Sequence, residues 1–276
     1  MRRSSRFWVV FVVGSTWFVA PGSLVPAFPH ASEPLVLSAS DEEDERTRYV
    51  LRSLSPHHPP NVEGLRQTGV GTGFFVTSQT VLTNFHVAGN CKALTVGNNT
   101  EGEETAAVLK SGDSADDLAL LSLAADDASA TPARFQMTLA QESGNGLAIV
   151  GYPEHGLPVL QAELDPVIAS PDDLQADRPF YPFAGAVRRG NSGSPVLDDE
   201  GAVLGIVRAK IDTVATFRAT GNVVDDIGFA ISNATILTFL RSHDIAFEPA
   251  ERQASLSPEQ LLQEAHAFVR QIGCWN

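Results

Sequence analysis

Several common functions require residues that this chain has in short supply. It has only two cysteines, Cys91 and Cys274, too far apart in sequence for a zinc ribbon, and His57, His58, His155 and His266 show no ligand spacing. No metal and no other cofactor is called for. Basic residues are also scarce: 19 lysines and arginines stand against 33 aspartates and glutamates, a formal charge of −14. That balance repels phosphate backbones, which argues against a nucleic-acid partner, and it favours solubility. Long apolar runs are missing except for Phe7 to Ala20, which is shorter than the ~20 residues of a membrane span. This run follows Arg2, Arg3 and Arg6 and precedes Pro21-Gly22 and small residues, the composition of a secretory leader cleaved after Ala27 or after Ala31. Its loss removes three arginines and no acid, so the mature charge is about −17 by count. The expectation is a secreted or periplasmic protein with no stable membrane insertion once the leader is gone.

The chain is accordingly divided into a leader at 1–31, an acidic, proline-containing segment at 32–60, a core at 61–245 and a tail at 246–276. The run Asp41-Glu42-Glu43-Asp44-Glu45 falls in the second of these, with Pro56, Pro59 and Pro60 near its end. Short apolar runs dominate the core: Gly73 to Val76, Thr80 to Phe85, Leu118 to Leu121, Leu147 to Gly151, Val203 to Arg208 and Ile227 to Ile231, separated by Gly, Asn, Asp and Pro. These read as strands. Asn233 to His243 reads as a short helix. In Ser257-Pro258-Glu259-Gln260, a serine N-cap, a first-turn proline and a capping-box glutamine announce a second one. Leu261, Ala265, Phe268, Val269 and Ile272 would lie on one face of that helix.

The chemistry is concentrated in three places. In Gly190-Asn191-Ser192-Gly193 the glycines open backbone conformations denied to larger residues, so the Gly190 and Ser192 amides can converge beside the Ser192 hydroxyl as an oxyanion hole. A serine hydroxyl is a weak nucleophile and needs a base to take its proton. His86, in Thr83-Asn84-Phe85-His86-Val87 at the end of an apolar run, is placed to be that base. Asp117 directly precedes the apolar Leu118 to Leu121 and is placed to orient His86, while Asp116 is free to face solvent. The order His86, Asp117, Ser192 differs from the orders of subtilisin-like enzymes and of α/β-hydrolases.

Four segments in register, Gly71-Thr72-Gly73-Phe74-Phe75-Val76 leading to Val81-Leu82-Thr83-Asn84-Phe85-His86-Val87, then Asp117 to Leu121, Gly190 to Val196 and Gly228-Phe229-Ala230-Ile231, resemble the trypsin-like serine peptidases. The likeness is to the bacterial branch of HtrA/Deg and V8-type enzymes and runs from about residue 66 to 245. It implies an all-β fold of two six-stranded Greek-key barrels of chymotrypsin type with C-terminal helices, His86 and Asp117 on the first barrel and Ser192 on the second. The substrate pocket would come from Phe183 to Arg189, Val207 to Lys210 and Asp226 to Phe229. Arg208 or Lys210 would suit an acidic substrate residue, Asp225 or Asp226 a basic one, and the HtrA likeness a small apolar one. Ser194-Pro195 is closer to the V8-type form, and the 31 residues after 245 are expected to be too few for the PDZ domain of many HtrA proteins.

An exported protein permits Cys91 and Cys274 to pair, which would tie the tail beside the His86 segment; two unrelated thiols are the alternative. The resulting reading is an exported serine endopeptidase that hydrolyses protein or peptide substrates through an acyl-enzyme. Its rival is a catalytically latent, protease-like binding or chaperone module of the envelope. The oligomeric state is left open.

Overall fold

The computed structural model describes residues 58–97, 104–124, 127, 129–137, 146–154, 162–170, 172–174, 178–210, 212–224 and 226–276. The leader at 1–31, nearly all of the 32–60 segment, His57, His155 and Asp225 lie outside them.

Apolar residues that alternate with short turns build a first, closed barrel of six strands: β1 (Gln67–Thr77), β2 (Thr80–Thr83), β3 (Ala93–Gly97), β4 (Glu104–Asp113), β5 (Leu118–Leu123) and a strand from the far end of the chain. Around the barrel the order is β1, the terminal strand, β3, β4, β5, β2 and back to β1, every pairing antiparallel. The β1–β2 hairpin is short enough for Thr77 to close it, its Oγ1 accepting from the Gln79 and Thr80 amides at 3.3 and 3.0 Å. Phe74, Leu82, Leu118, Leu120 and Leu121 are sealed from solvent inside. Each side chain of that kind contributes ~1.5–3 kcal/mol by leaving water.

The second barrel uses β7 (Leu147–Gly151), β8 (Glu163–Val167), β9 (Phe180–Ala184), β10 (Pro195–Leu197), β11 (Val203–Lys210) and β12 (Ile227–Ser232). The strands run β8, β7, β10, β11, β12, β9. Ile168 and Ala184 exchange both backbone hydrogen bonds, at 2.8 and 2.7 Å, and so join the ends of β8 and β9. Two-residue pieces, β6 (Arg134–Phe135) and β13 (Glu248–Pro249), extend the sheet in parallel beyond β11. One apolar core reaches from Phe74 and Leu120 in the first barrel to Ile206 and Ile231 in the second.

Four α-helices, α1 (Phe85–Ala88), α2 (Thr213–Thr220), α3 (Asn233–Ser242) and α4 (Pro258–Ala265), and a 3-10 turn at Pro60–Val62 complete the described chain. The capping box at Ser257 and Gln260 is present as read from the sequence. The helix it starts is shorter than the reading allowed, however. It ends at Ala265, and Val269 to Trp275 form the strand β14, which enters the first barrel between β1 and β3. The spacing of Val269 and Ile272 by three residues suits a helix face, but barrel closure overrides it and buries both sides of the segment as a strand. Trp275 Nε1 donates to buried Thr95 Oγ1 at 3.0 Å, so the indole carries no unpaired polar group inward. The tail is thus built into the barrel, and the boundary drawn at 245 does not mark the end of its packing. Cys91 and Cys274 are disulfide-bonded, 183 residues apart in sequence, at the junction of the α1 segment and β14.

Candidate active site

Two glycine-rich segments from different barrels press together to make the site. Thr72 of β1 is sealed from solvent and acts as the clasp. Its amide donates to the Ser192 carbonyl at 2.8 Å, its Oγ1 donates to the Gly190 carbonyl at 2.7 Å and accepts from the Tyr152 amide at 3.1 Å, and its carbonyl accepts from Thr83 Oγ1 at 2.6 Å. The approach is so close that a Cβ on Gly193 would lie 1.8 Å from the Thr72 carbonyl oxygen. Gly193 and Gly190 also sit at φ +90° and +89°, the region that only glycine enters without strain.

His86 lies one turn past the end of β2, on α1, and not on the strand end expected from its apolar run. Asn84 breaks the strand by acting as N-cap residue, and its side chain donates to the Asp117 carbonyl at 3.0 Å. Asp117 adopts φ +58°, a left-handed backbone that Asp tolerates better than most residues, which turns both its carbonyl and its carboxylate toward α1. The carbonyl also takes the Phe85 amide at 3.1 Å. The carboxylate takes the His86 amide on Oδ1 at 2.9 Å and the His86 Nδ1 proton on Oδ2 at 2.8 Å. With Nδ1 donating, Nε2 is left as the acceptor of the neutral ring. His86 is half exposed and Asp117 is buried. Burial pushes the Asp117 carboxyl up. The hydrogen bonds from the His86 side chain and amide and the charges of His86 and Arg208 outweigh that and hold it below the usual carboxylate value. Asp116, the rival acid, makes none of these contacts; its amide is capped by Asp113 at 3.1 Å.

The serine turn is braced by Asn191, whose Oδ1 accepts from the Arg188 amide at 2.9 Å and whose carbonyl accepts from the Ser194 amide at 2.9 Å. The Arg189 carbonyl is aimed away from the turn, accepting from the Glu154 amide at 2.7 Å. Because C=O and N–H of a trans peptide point in opposite directions, the Gly190 amide points away from Glu154. Neither the Gly190 nor the Ser192 amide has a protein acceptor among the described residues. The Ser192 hydroxyl donates to the Arg208 carbonyl at 3.4 Å, and no hydrogen bond joins it to His86.

Arg208 is the contact that the sequence did not disclose. The sequence marks it only as a pocket-lining candidate, whereas its Nε donates to Asp117 Oδ2 at 3.3 Å and its guanidinium lies over the Phe180 ring, 4.6 Å from the centroid. Of the three pocket segments, Phe183 pairs with Gly228, and Phe229 with Ala209, so these segments are neighbours. A Cβ on Gly228 would lie 2.2 Å from the Phe183 ring and 2.7 Å from Val187, so that position is already filled by apolar groups.

Two six-stranded barrels with a histidine, an aspartate and a serine turn at their junction define the chymotrypsin-like class. Residues 71–206 match the trypsin-like peptidase domain family, and the chain is a member of it. It is 35% identical over 210 residues to a DegP-like periplasmic serine endoprotease of Rhizobium meliloti, covering 68% of this chain and 38% of that one. It is 31% identical over 206 residues to serine protease Rv3671c of Mycobacterium tuberculosis, covering 71% and 49%. The chain therefore spans less than half the length of either relative. In fold it is similar to the serine endoprotease of Yersinia pestis, with a TM-score of 0.51 at 23% identity over 64% of this chain and 58% of that one.

Proposed function

We propose that this chain is an exported serine endopeptidase. The observation that carries the reading is the double hydrogen bond of Asp117 to His86, set beside a serine whose own amide and that of Gly190 are unpartnered. In this reading Ser192 Oγ attacks the scissile carbonyl and passes its proton to His86 Nε2. The carbonyl oxygen gathers negative charge against the Gly190 and Ser192 amides, and His86 returns the proton to the departing amine. Water then repeats the sequence on the Ser192 acyl ester and releases the second product. No step calls for a metal or another cofactor.

Substrate binding has a ready edge. β10 pairs with β11 no further than Ile206, so Ala209 and Lys210 are paired on the β12 side alone, and an extended peptide can add there as one more strand. Phe183 and Val187 against Gly228 favour a small apolar residue before the scissile bond over a charged one. Export is supported by the leader-like start, by the Cys91–Cys274 disulfide and by the periplasmic relative. Among the described residues no helix is long and apolar enough to cross a membrane.

One observation favours the latent reading, namely the Ser192 hydroxyl resting on the Arg208 carbonyl instead of His86. Catalytic hydrogen bonds often tighten only when substrate is present. Hydrolysis of an unfolded protein substrate, compared between the wild type and Ser192→Ala, separates the two. Cleavage lost in the variant supports the peptidase, and no cleavage by either protein supports the latent module.

A further inference from the structure

The strand β11 carries one residue more than its partner just where it passes the site. Val207 faces Ala230 and Ala209 faces Phe229, so Arg208 is the extra residue of a bulge. Bulges re-aim the groups they carry. Here the carbonyl of Arg208 is turned to the Ser192 hydroxyl, at 3.4 Å, and its side chain to the Asp117 carboxylate, at 3.3 Å, with Phe180 beneath the guanidinium. One residue therefore touches both the acid and the serine of the proposed triad from the second barrel, across the junction. Asp117 Oδ2 is shared: it accepts from His86 Nδ1 and from Arg208 Nε.

We propose that Arg208 is a positioning residue of this site, pinning Asp117 across the barrel junction and, through its fixed charge, keeping the His86–Asp117 pair in its working protonation state at more acidic pH. This rests on the triad reading. An arginine is charged at every accessible pH. Beside the pair it favours the ionised carboxylate, and it opposes the arrival of a second positive charge on the imidazole. It also competes with the ring for Oδ2, so it trades some of the base's strength at neutral pH for a free base in acid.

Other charges near α1 do not do the same. α1 packs against β1, β4, β5 and β14. β1 and β5 carry no charged residue. On β4, Glu104 is bound to His58, and Asp113 caps the Ala115 and Asp116 amides; Lys110 makes no ion pair among the described residues. Asp116 lies in the turn between β4 and β5. On β14, Arg270 is bound to Asp127. Lys210, two residues beyond Arg208, is exposed at the end of β11.

The test compares the wild type, Arg208→Gln and Arg208→Lys. Proton uptake by the pair is followed through the His86 imidazole NMR signals in a Ser192→Ala background, a readout that does not depend on turnover. Expected is a midpoint about one pH unit higher in Arg208→Gln, with Arg208→Lys between it and the wild type. In the Ser192 proteins, the acidic limb of the pH profile for fluorophosphonate labelling moves in the same direction while thermal midpoints stay together. Coincident His86 titrations in all three proteins overturn the role of Arg208. Unlabelled Ser192 at every pH, with the titrations displaced, overturns the triad reading and leaves the Arg208–Asp117 coupling standing.

Discussion

Thr72 hydrogen-bonds Gly190 across the barrel junction, Oγ1 to carbonyl at 2.7 Å, and the same hydroxyl accepts from the Tyr152 amide. A side chain of the first barrel thereby sets the backbone of the turn that presents Ser192 in the second. Valine has nearly the shape of threonine, so Thr72→Val strips the hydroxyl without opening a cavity and leaves two buried backbone groups unpaired. The expected loss is ~1–3 kcal/mol of unfolding free energy, together with a larger fall in Ser192 reactivity than the stability loss explains. Urea unfolding and phosphonate labelling on the same samples check this. An unchanged labelling rate would show that Thr72 serves only packing.

Asp117→Asn keeps a group that can still accept the His86 amide but presents the ring with an amide that carries no charge. The wrong tautomer of His86 then becomes available, and the rate of Ser192 acylation should drop by about 10³- to 10⁴-fold. Stopped-flow labelling reads the rate, and circular dichroism verifies the fold. Asp116→Asn serves as the matched control and is expected to label at the wild-type rate, because Asp116 does not touch His86.

The same residues show how far the sequence could be read. His86, Asp117 and Ser192 each sit in a local pattern strong enough to single them out: a base after an apolar run, an acid before one, a serine between glycines. The six strand readings all fall within observed strands or overlap them, since a short apolar run bounded by turn residues is a local signal. What escaped depends on partners distant in sequence. The start of β14 reads as the end of a helix because its place between β1 and β3 exists only once the barrel has formed. The sequence puts Arg208 near the pocket, but the bulge that turns it to Asp117 is a mismatch between β11 and β12 and is written in neither strand alone. The disulfide is hidden for the same reason: two cysteines 183 residues apart in sequence reveal nothing of their distance in space.

Pairing Cys91 with Cys274 closes a loop of nearly the whole peptidase domain and anchors β14, the strand that completes the first barrel. The double substitution Cys91→Ser with Cys274→Ser is expected to cost about 3–5 kcal/mol, mostly through the freedom it restores to the unfolded chain. Chemical unfolding with and without reductant measures it. The wild type under reductant should fall to the level of the double variant, and the variant should not respond.

Among the buried and half-buried carboxylates, Asp117 and Asp127 weaken the fold in acid, whereas Asp198, raised by burial, acts in the opposite sense. Burial raises Asp117, but its hydrogen bonds from His86 and the charges of His86 and Arg208 hold it below the usual carboxylate value. Asp127 is likewise raised by burial but brought below its usual value by hydrogen bonds from Ser129 and by the charge of Arg270, whose buried guanidinium it meets at 3.2 Å. A carboxyl whose folded value lies below its unfolded one gives its full stabilisation above the unfolded value, about pH 4, and loses it as pH falls through the folded value. Urea midpoints should therefore hold from pH 6 to about pH 4.5 and decline below that. Asp127→Asn should start lower and decline less steeply. Parallel declines in the two proteins would remove Asp127 from the explanation.

The most direct test of the peptidase reading is covalent labelling of the purified protein with a fluorophosphonate, followed by intact mass and peptide mapping, beside Ser192→Ala. Addition of one phosphonyl group per chain, mapped to Ser192 and absent from the variant, is the predicted result. A wild-type protein that stays unmodified at pH 5 to 8, or one labelled equally with and without Ser192, would contradict it.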